Sequence, residues 1–168
     1  MMTVKMSIGI DLSEVEKVQE KHSVVFPLDY INFLKQHNGM FVGEGGYCTI
    51  PFSKVDDEEI EFQELYGIKL KNKNLDLDNA NKVRDEVEAL DEPFVIGSDP
   101  GGNLFLINGN KGPVYYWDRN HIHIDSRPDF PEKEEEGDIY KVSDSFSDFY
   151  ECIILHLGGN KEVVEEFL

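Results

Sequence analysis

The sequence predicts an α+β fold: a single twisted, mostly antiparallel sheet covered by helices. Three observations predict it. Apolar residues recur at helical spacing up to about residue 38 and again near the end. Short β-branched and aromatic runs, cut by Gly, Pro and Asn, fill the middle. The chain has 168 residues, 40% hydrophobic and 30% charged, which suits one globular domain over 1–168 that needs no staples.

Residues 1–11 carry little pattern. Ser13-Glu14-Val15-Glu16 has the form of a capping box, and Leu12, Val15 and Val18 predict a first helix to about Lys21. Pro27 suits the first turn of a second helix, with Leu28, Ile31, Leu34 and Phe33 inward and Asn38-Gly39 at its end. Gly43, Gly45 and Gly46 form a turn leading into a strand, Tyr47–Phe52. No Gly-Lys-Ser/Thr and helix follow, so this is not a phosphate cradle. Asp56-Asp57-Glu58-Glu59-Ile60-Glu61 opens an irregular stretch or short helix. Lys69 to Asn74 is a polar loop. Asp78 caps a third helix whose face is Ala80, Val83, Val87 and Leu90, with Arg84 and Glu88 one turn apart outside. Pro93 stops it.

Phe94–Ser98, Asn103–Asn108 and Val114–Asp118 read as three strands at the sheet centre, the last two a hairpin. The glycines of Asp99-Pro100-Gly101-Gly102 supply a tight turn, again into a strand. His121-Ile122-His123-Ile124 alternates like a strand. Two histidines at this spacing can share a metal, but nothing local completes a zinc set, so no metal or cofactor is assigned. A long acidic loop follows, with Glu132, Glu134, Glu135, Glu136 and Asp138. Ile139–Val142 returns as an edge strand, and such an edge can pair two copies of the chain. Ser143 or Asp144 caps a last helix facing the core through Phe146, Phe149, Ile153, Ile154 and Leu157, and Gly158-Gly159 ends it. Residues 162–168 form a short amphipathic tail.

Charge is the strongest compositional signal. Thirty-four acidic against 16 basic residues give a net charge of −18. Such a surface repels nucleic-acid phosphates and anionic membranes, and it either steers a basic protein partner inward or serves only to keep the chain soluble. No apolar run approaches the roughly 20 residues of a membrane helix, and the N-terminus lacks a signal peptide's apolar core. The cytoplasm is the expected setting. Cys48 and Cys152 form no CxxC and read as buried free thiols. No nucleophile-base motif or dinucleotide fingerprint is present, so no catalytic residues are assigned.

One ordered set of motifs goes further. Phe26-Pro27-Leu28-Asp29-Tyr30-Ile31-Asn32-Phe33-Leu34 closes with Asn38-Gly39. Ile96-Gly97-Ser98-Asp99, Gly101-Gly102-Asn103 and Gly112-Pro113-Val114-Tyr115-Tyr116-Trp117-Asp118 follow, then Ser145-Phe146-Ser147-Asp148-Phe149. In this order they resemble an SMI/KNR-type domain of the SUKH superfamily, over roughly Leu12 to Leu157. The resemblance implies an α+β fold and no known catalytic centre. Bacterial members look like immunity proteins that neutralise toxins, and eukaryotic members resemble regulators of cell-wall assembly and signalling. It therefore implies an antitoxin that occludes a basic toxin domain such as a nuclease, or alternatively a regulatory scaffold. The motif residues Pro27, Gly39, Gly97, Asp99, Gly101, Gly102, Asn103, Trp117, Asp118 and Phe146 are expected to serve the fold. The acid runs Asp56, Asp57, Glu58, Glu59, Glu61 and Glu132–Asp138 are the expected partner-facing groups. A small-ligand site near Gly101-Gly102 is the remaining alternative.

Overall fold

The computed structural model describes residues 4–55, 57–119, 132–134, 137–159, 163–165 and 168. The chain opens with a strand, β1 (Val4–Ile8), that buries Val4 and Met6. It lay in the patternless N-terminal stretch because its partners are distant. Helix α1 (Leu12–His22) starts after Asp11, so Ser13 lies inside the helix and the expected capping box is not the N-terminus. Val15 and Val18 are buried as expected. Helix α2 (Leu28–Gln36) follows Pro27, whose carbonyl accepts from the Ile31 amide at 3.0 Å. Its inward face is turned from the expected one: Leu28 is 72% exposed, while Tyr30, Phe33 and Leu34 are buried.

Asn38 and Gly39 do not end a helix. They sit in β2 (His37–Val42), which α2 enters directly. The Asn38 side chain accepts from the Ile68 amide at 2.7 Å and donates to the Ile68 carbonyl at 2.8 Å, and Gly39 takes φ +105°. Then come β3 (Gly46–Pro51), β4 (Glu59–Glu61) and β5 (Glu64–Leu65). The acid run thus continues into a strand, not a helix. The third helix is also shorter than its apolar spacing predicts. One α-turn, α3 (Leu77–Ala80), is capped by Asp76 rather than Asp78 and gives way to a 3-10 stretch, Asn81–Glu86. Asn81 explains the change. It is buried, donates to the carbonyls of Leu77 and Val95 at 2.9 Å, and accepts from the Val95 amide at 2.7 Å. Val87 is extended, so Glu88 lies beyond the helical stretch, and Arg84 donates instead to the His22 carbonyl at 2.7 Å.

The three central strands are where the sequence puts them: β6 (Pro93–Ser98), β7 (Leu104–Asn108) and β8 (Val114–Asp118). After them come β9 (Glu132–Glu134), β10 (Gly137–Ser143), α4 (Phe146–His156), β11 (Leu157–Gly159) and β12 (Val163–Glu165). Ser145, not Ser143 or Asp144, caps α4 by accepting from the Asp148 amide at 3.0 Å. Asp144 is engaged by Lys141 at 2.5 Å and Ser143 closes β10. Ile154 is 41% exposed, and Gly158-Gly159 belong to β11. The expected strand at His121–Ile124 lies outside the described residues.

Among the described residues the large sheet runs β12-β1-β2-β5-β6-β7-β8-β10-β9, antiparallel apart from the β1–β12 pair. A second sheet, β11-β3-β4, was not expected. It packs with α4 against the large sheet. Phe149 meets Phe105 at 5.0 Å and Phe62 at 6.2 Å between ring centroids, and Phe52 meets Tyr140 at 5.9 Å. Phe26 and Tyr30 extend this aromatic layer to Phe94 and Phe146. Burying each such ring contributes about 1.5–3 kcal/mol, so this layer fixes the small sheet in place.

Candidate partner-binding surface

The small sheet places acids outward by strand alternation. In β4, Ile60 points to the core at 1% exposure, while Glu59 and Glu61 are exposed. Register sets Glu59 opposite Pro51 and Glu61 opposite Thr49. The same face of β3 carries Tyr47, 61% exposed, between inward positions of which Cys48 and Ile50 are buried. Tyr47 lies opposite Gly158 of β11. A Cβ at Gly158 would fall 2.2 Å from the tyrosine ring, so glycine there lets the ring lie over the neighbouring strand. The turn preceding β4 is closed by the Phe52 amide donating to the Glu58 carbonyl at 2.7 Å, with Glu58 at φ 55°.

Beside this face lies a crease of about 190 Å³ between the two sheets, bordered by Val42, Tyr47, Glu61, Gln63 and Pro100. Its backbone is committed: Val42 donates to Gln63 at 2.8 Å and Gln63 donates to Ser98 at 3.0 Å. Pro100 comes from the Asp99–Asn103 turn, which a buried network makes rigid. The Asp99 carboxylate accepts from the Asn103 amide at 2.9 Å, the Asn103 Nδ2 at 2.9 Å and the Tyr116 hydroxyl at 2.8 Å. Asn103 Oδ1 in turn accepts from the Arg119 amide at 3.0 Å. Gly102 takes φ +89°, a conformation that glycine adopts without strain. Burial, with Asp99 beside it, pushes the Tyr116 hydroxyl far above its ordinary pKa and keeps it a donor. Trp117 and Asp118 are fully buried, and the Arg119 guanidinium lies 4.8 Å over the indole. These motif residues hold the turn and the core.

The β3–β4 connection adjoins β10 through the Phe52–Tyr140 rings and through Lys54 Nζ, which donates to the Lys141 carbonyl at 3.4 Å. Asp138 sits on β10 opposite Asp118, half-buried, and the backbone of Glu132 and Glu134 forms the edge strand β9. Asp57, Glu58, Glu59 and Glu61 are placed on the small sheet and its turn. Asp56, Glu135 and Glu136 lie outside the described residues. Sequence reasoning missed Tyr47 as an exposed group, and Gln63 and Pro100 as its neighbours. Two exposed apolar residues of α4, Ile154 and Leu155, were missed as well; Leu155 is 75% exposed.

No group of three or more His, Cys, Asp or Glu suited to a metal occurs among the described residues. Burial pushes the Cys48 thiol up to about 12, so it is not a thiolate at neutral pH. Burial also raises Glu64, whose carboxylate accepts from Ser98 Oγ at 2.7 Å, and pushes Tyr66 up to about 12. Neither borders the crease. A larger hollow of about 570 Å³ between Ile8, Ile10, Asn38, Ile68 and Leu70 has its buried amide already bonded to Ile68. No helix among the described residues is long and apolar enough to cross a membrane.

A family model described as the SMI1 / KNR4 family (SUKH-1) matches residues 9–152. No curated protein matches the chain.

Proposed function

For a chain that belongs to the SMI1 / KNR4 family (SUKH-1), and that turns a rigid acidic sheet face to solvent, we propose an immunity-type role: it binds a basic toxin domain and occludes it without catalysis. One observation carries this reading. Tyr47 stands 61% exposed on the same strand face that aligns Glu59 and Glu61. An exposed aromatic costs solvation and supplies contact area with little entropy to lose, while rim carboxylates steer encounter. A nuclease domain is the partner class that fits, because a surface made for phosphates is basic. The acid runs and the net charge of −18 support the same polarity. Binding takes place in the cytoplasm in this reading.

The test is co-expression with the toxin-like product of the adjacent gene. Rescue of growth, with an association rate that falls steeply between low and physiological salt, is the expected outcome. Failure to rescue any such neighbour removes the immunity role and leaves the regulatory-scaffold reading. Rescue with a salt-independent rate removes the electrostatic part alone.

A further inference from the structure

We infer that the crease beside Tyr47 is a seat for one arginine side chain of the protein partner, a refinement that rests on the binding role proposed above. Size selects the occupant. Small-molecule pockets span about 300–1,000 Å³, whereas this crease measures about 190 Å³, enough for a single long side chain. Its lining selects the charge. The exposed Tyr47 ring offers a π face, the exposed Glu61 carboxylate accepts two parallel N–H bonds, and Gln63 adds a neutral amide. A guanidinium can stack on the first while forking to the second; an ammonium does one or the other less well. Exposed Pro100 gives an apolar wall where an arginine stem would lie, above the buried Val42 and Phe62. Those walls are fixed by the Asp99 network and by the Val42–Gln63 and Gln63–Ser98 backbone bonds, so the seat is preformed.

The experiment titrates the ¹⁵N-labelled full chain with acetyl-Gly-Arg-Gly-amide and, separately, with its uncharged citrulline counterpart. Saturable shifts of the Tyr47, Cys48, Glu61, Gln63 and Gly101 amides with the arginine peptide alone are expected. Tyr47→Ala and Glu61→Gln should each weaken that binding about tenfold, the weight of one desolvated cation–π or charged contact. Both side chains are exposed, and an unchanged spectrum elsewhere confirms that each variant folds. No shifts, equal shifts with citrulline, or shifts spread evenly over remote acids such as Asp85 and Asp148 would overturn the seat. The two proposals fail differently. A toxin bound equally well by the Tyr47→Ala variant removes the arginine seat while the antitoxin role stands; a chain that binds the peptide but rescues no toxin does the reverse.

Discussion

Glu61 borders the crease and Asp99 anchors the turn whose Pro100 borders it, yet the two behave as different kinds of residue. Asp99 is 6% exposed and accepts three hydrogen bonds from Asn103 and Tyr116. Glu61 stands in solvent on a strand edge, opposite Thr49. The difference teaches that a carboxylate's use is set by the donors the fold brings to it. Where backbone and hydroxyl donors converge, the charge is bound into the architecture and unavailable to a partner. Where alternation turns it outward, the architecture scarcely depends on it and a partner can use it. Buried charges are costly unless satisfied, so the first kind must be paired to exist at all.

The comparison breaks most visibly on the buried side. Gly97 pairs with Leu65 in β5, and a Cβ there would lie 2.3 Å from the Glu64 carbonyl. Gly97→Ala should therefore cost about 3 kcal/mol, the upper end of overpacking penalties, seen as a lower urea midpoint. Asp99→Ala comes next, at about 2–3 kcal/mol. It strips the acceptor from Tyr116 Oη and from two donors of Asn103, and an unmet buried donor carries the full desolvation penalty. An Asp99→Ala variant that unfolds at the parent's midpoint would show that the network is ornamental.

Much of the buried side was legible locally. β6, β7 and β8 announce themselves through Phe, Val, Ile and Tyr between glycine and proline breaks, and their pairing follows from short connections. The ordered motifs led to the family over nearly the whole chain. What stayed hidden depends on distant partners. β1 needs β2 and β12, and β11 needs β3, so neither has a local signal beyond a few residues. Apolar spacing predicted a long third helix, and one buried Asn81 overrode it by bonding to β6. The acid runs were visible as composition, but the outward direction of Glu59 and Glu61 and the exposure of Tyr47 are consequences of β3–β4 register and of Gly158 far along the chain.

Glu64 lies between the two extremes and sharpens the contrast through pH. Its carboxyl is raised by burial, and Ser98 Oγ donates to it. The folded state thus holds the proton more tightly than the unfolded chain, whose glutamate titrates at about 4.3. That stabilising contribution is fully present below the unfolded pKa and is lost as pH rises through the folded one. Glu64→Gln keeps an oxygen for Ser98 and removes the charge. It should melt higher than the parent at pH 7, with the advantage vanishing as pH falls below about 4. A constant difference across that range would mean that packing, not ionisation, separates the two proteins.

The smallest stability effect belongs to the solvent side, and there the smallness is the informative result. Glu59→Gln with Glu61→Gln removes two charges from an exposed face of a protein carrying −18. Neither residue supports the core, because Ile60 between them does that at 1% exposure. Surface changes of this kind stay within about 0.5 kcal/mol, and relief of self-repulsion gives the double variant a slight gain in melting temperature. Its association with a basic partner should nevertheless slow several-fold at low salt and converge on the parent's rate at high salt, where screening shortens the field to a few ångströms. Stopped-flow rates at two ionic strengths, with urea curves on the same samples, separate the two quantities. A loss of stability comparable to that of Asp99→Ala would place these acids in the architecture after all, and the outward face would then be a structural edge instead of a surface kept for a partner.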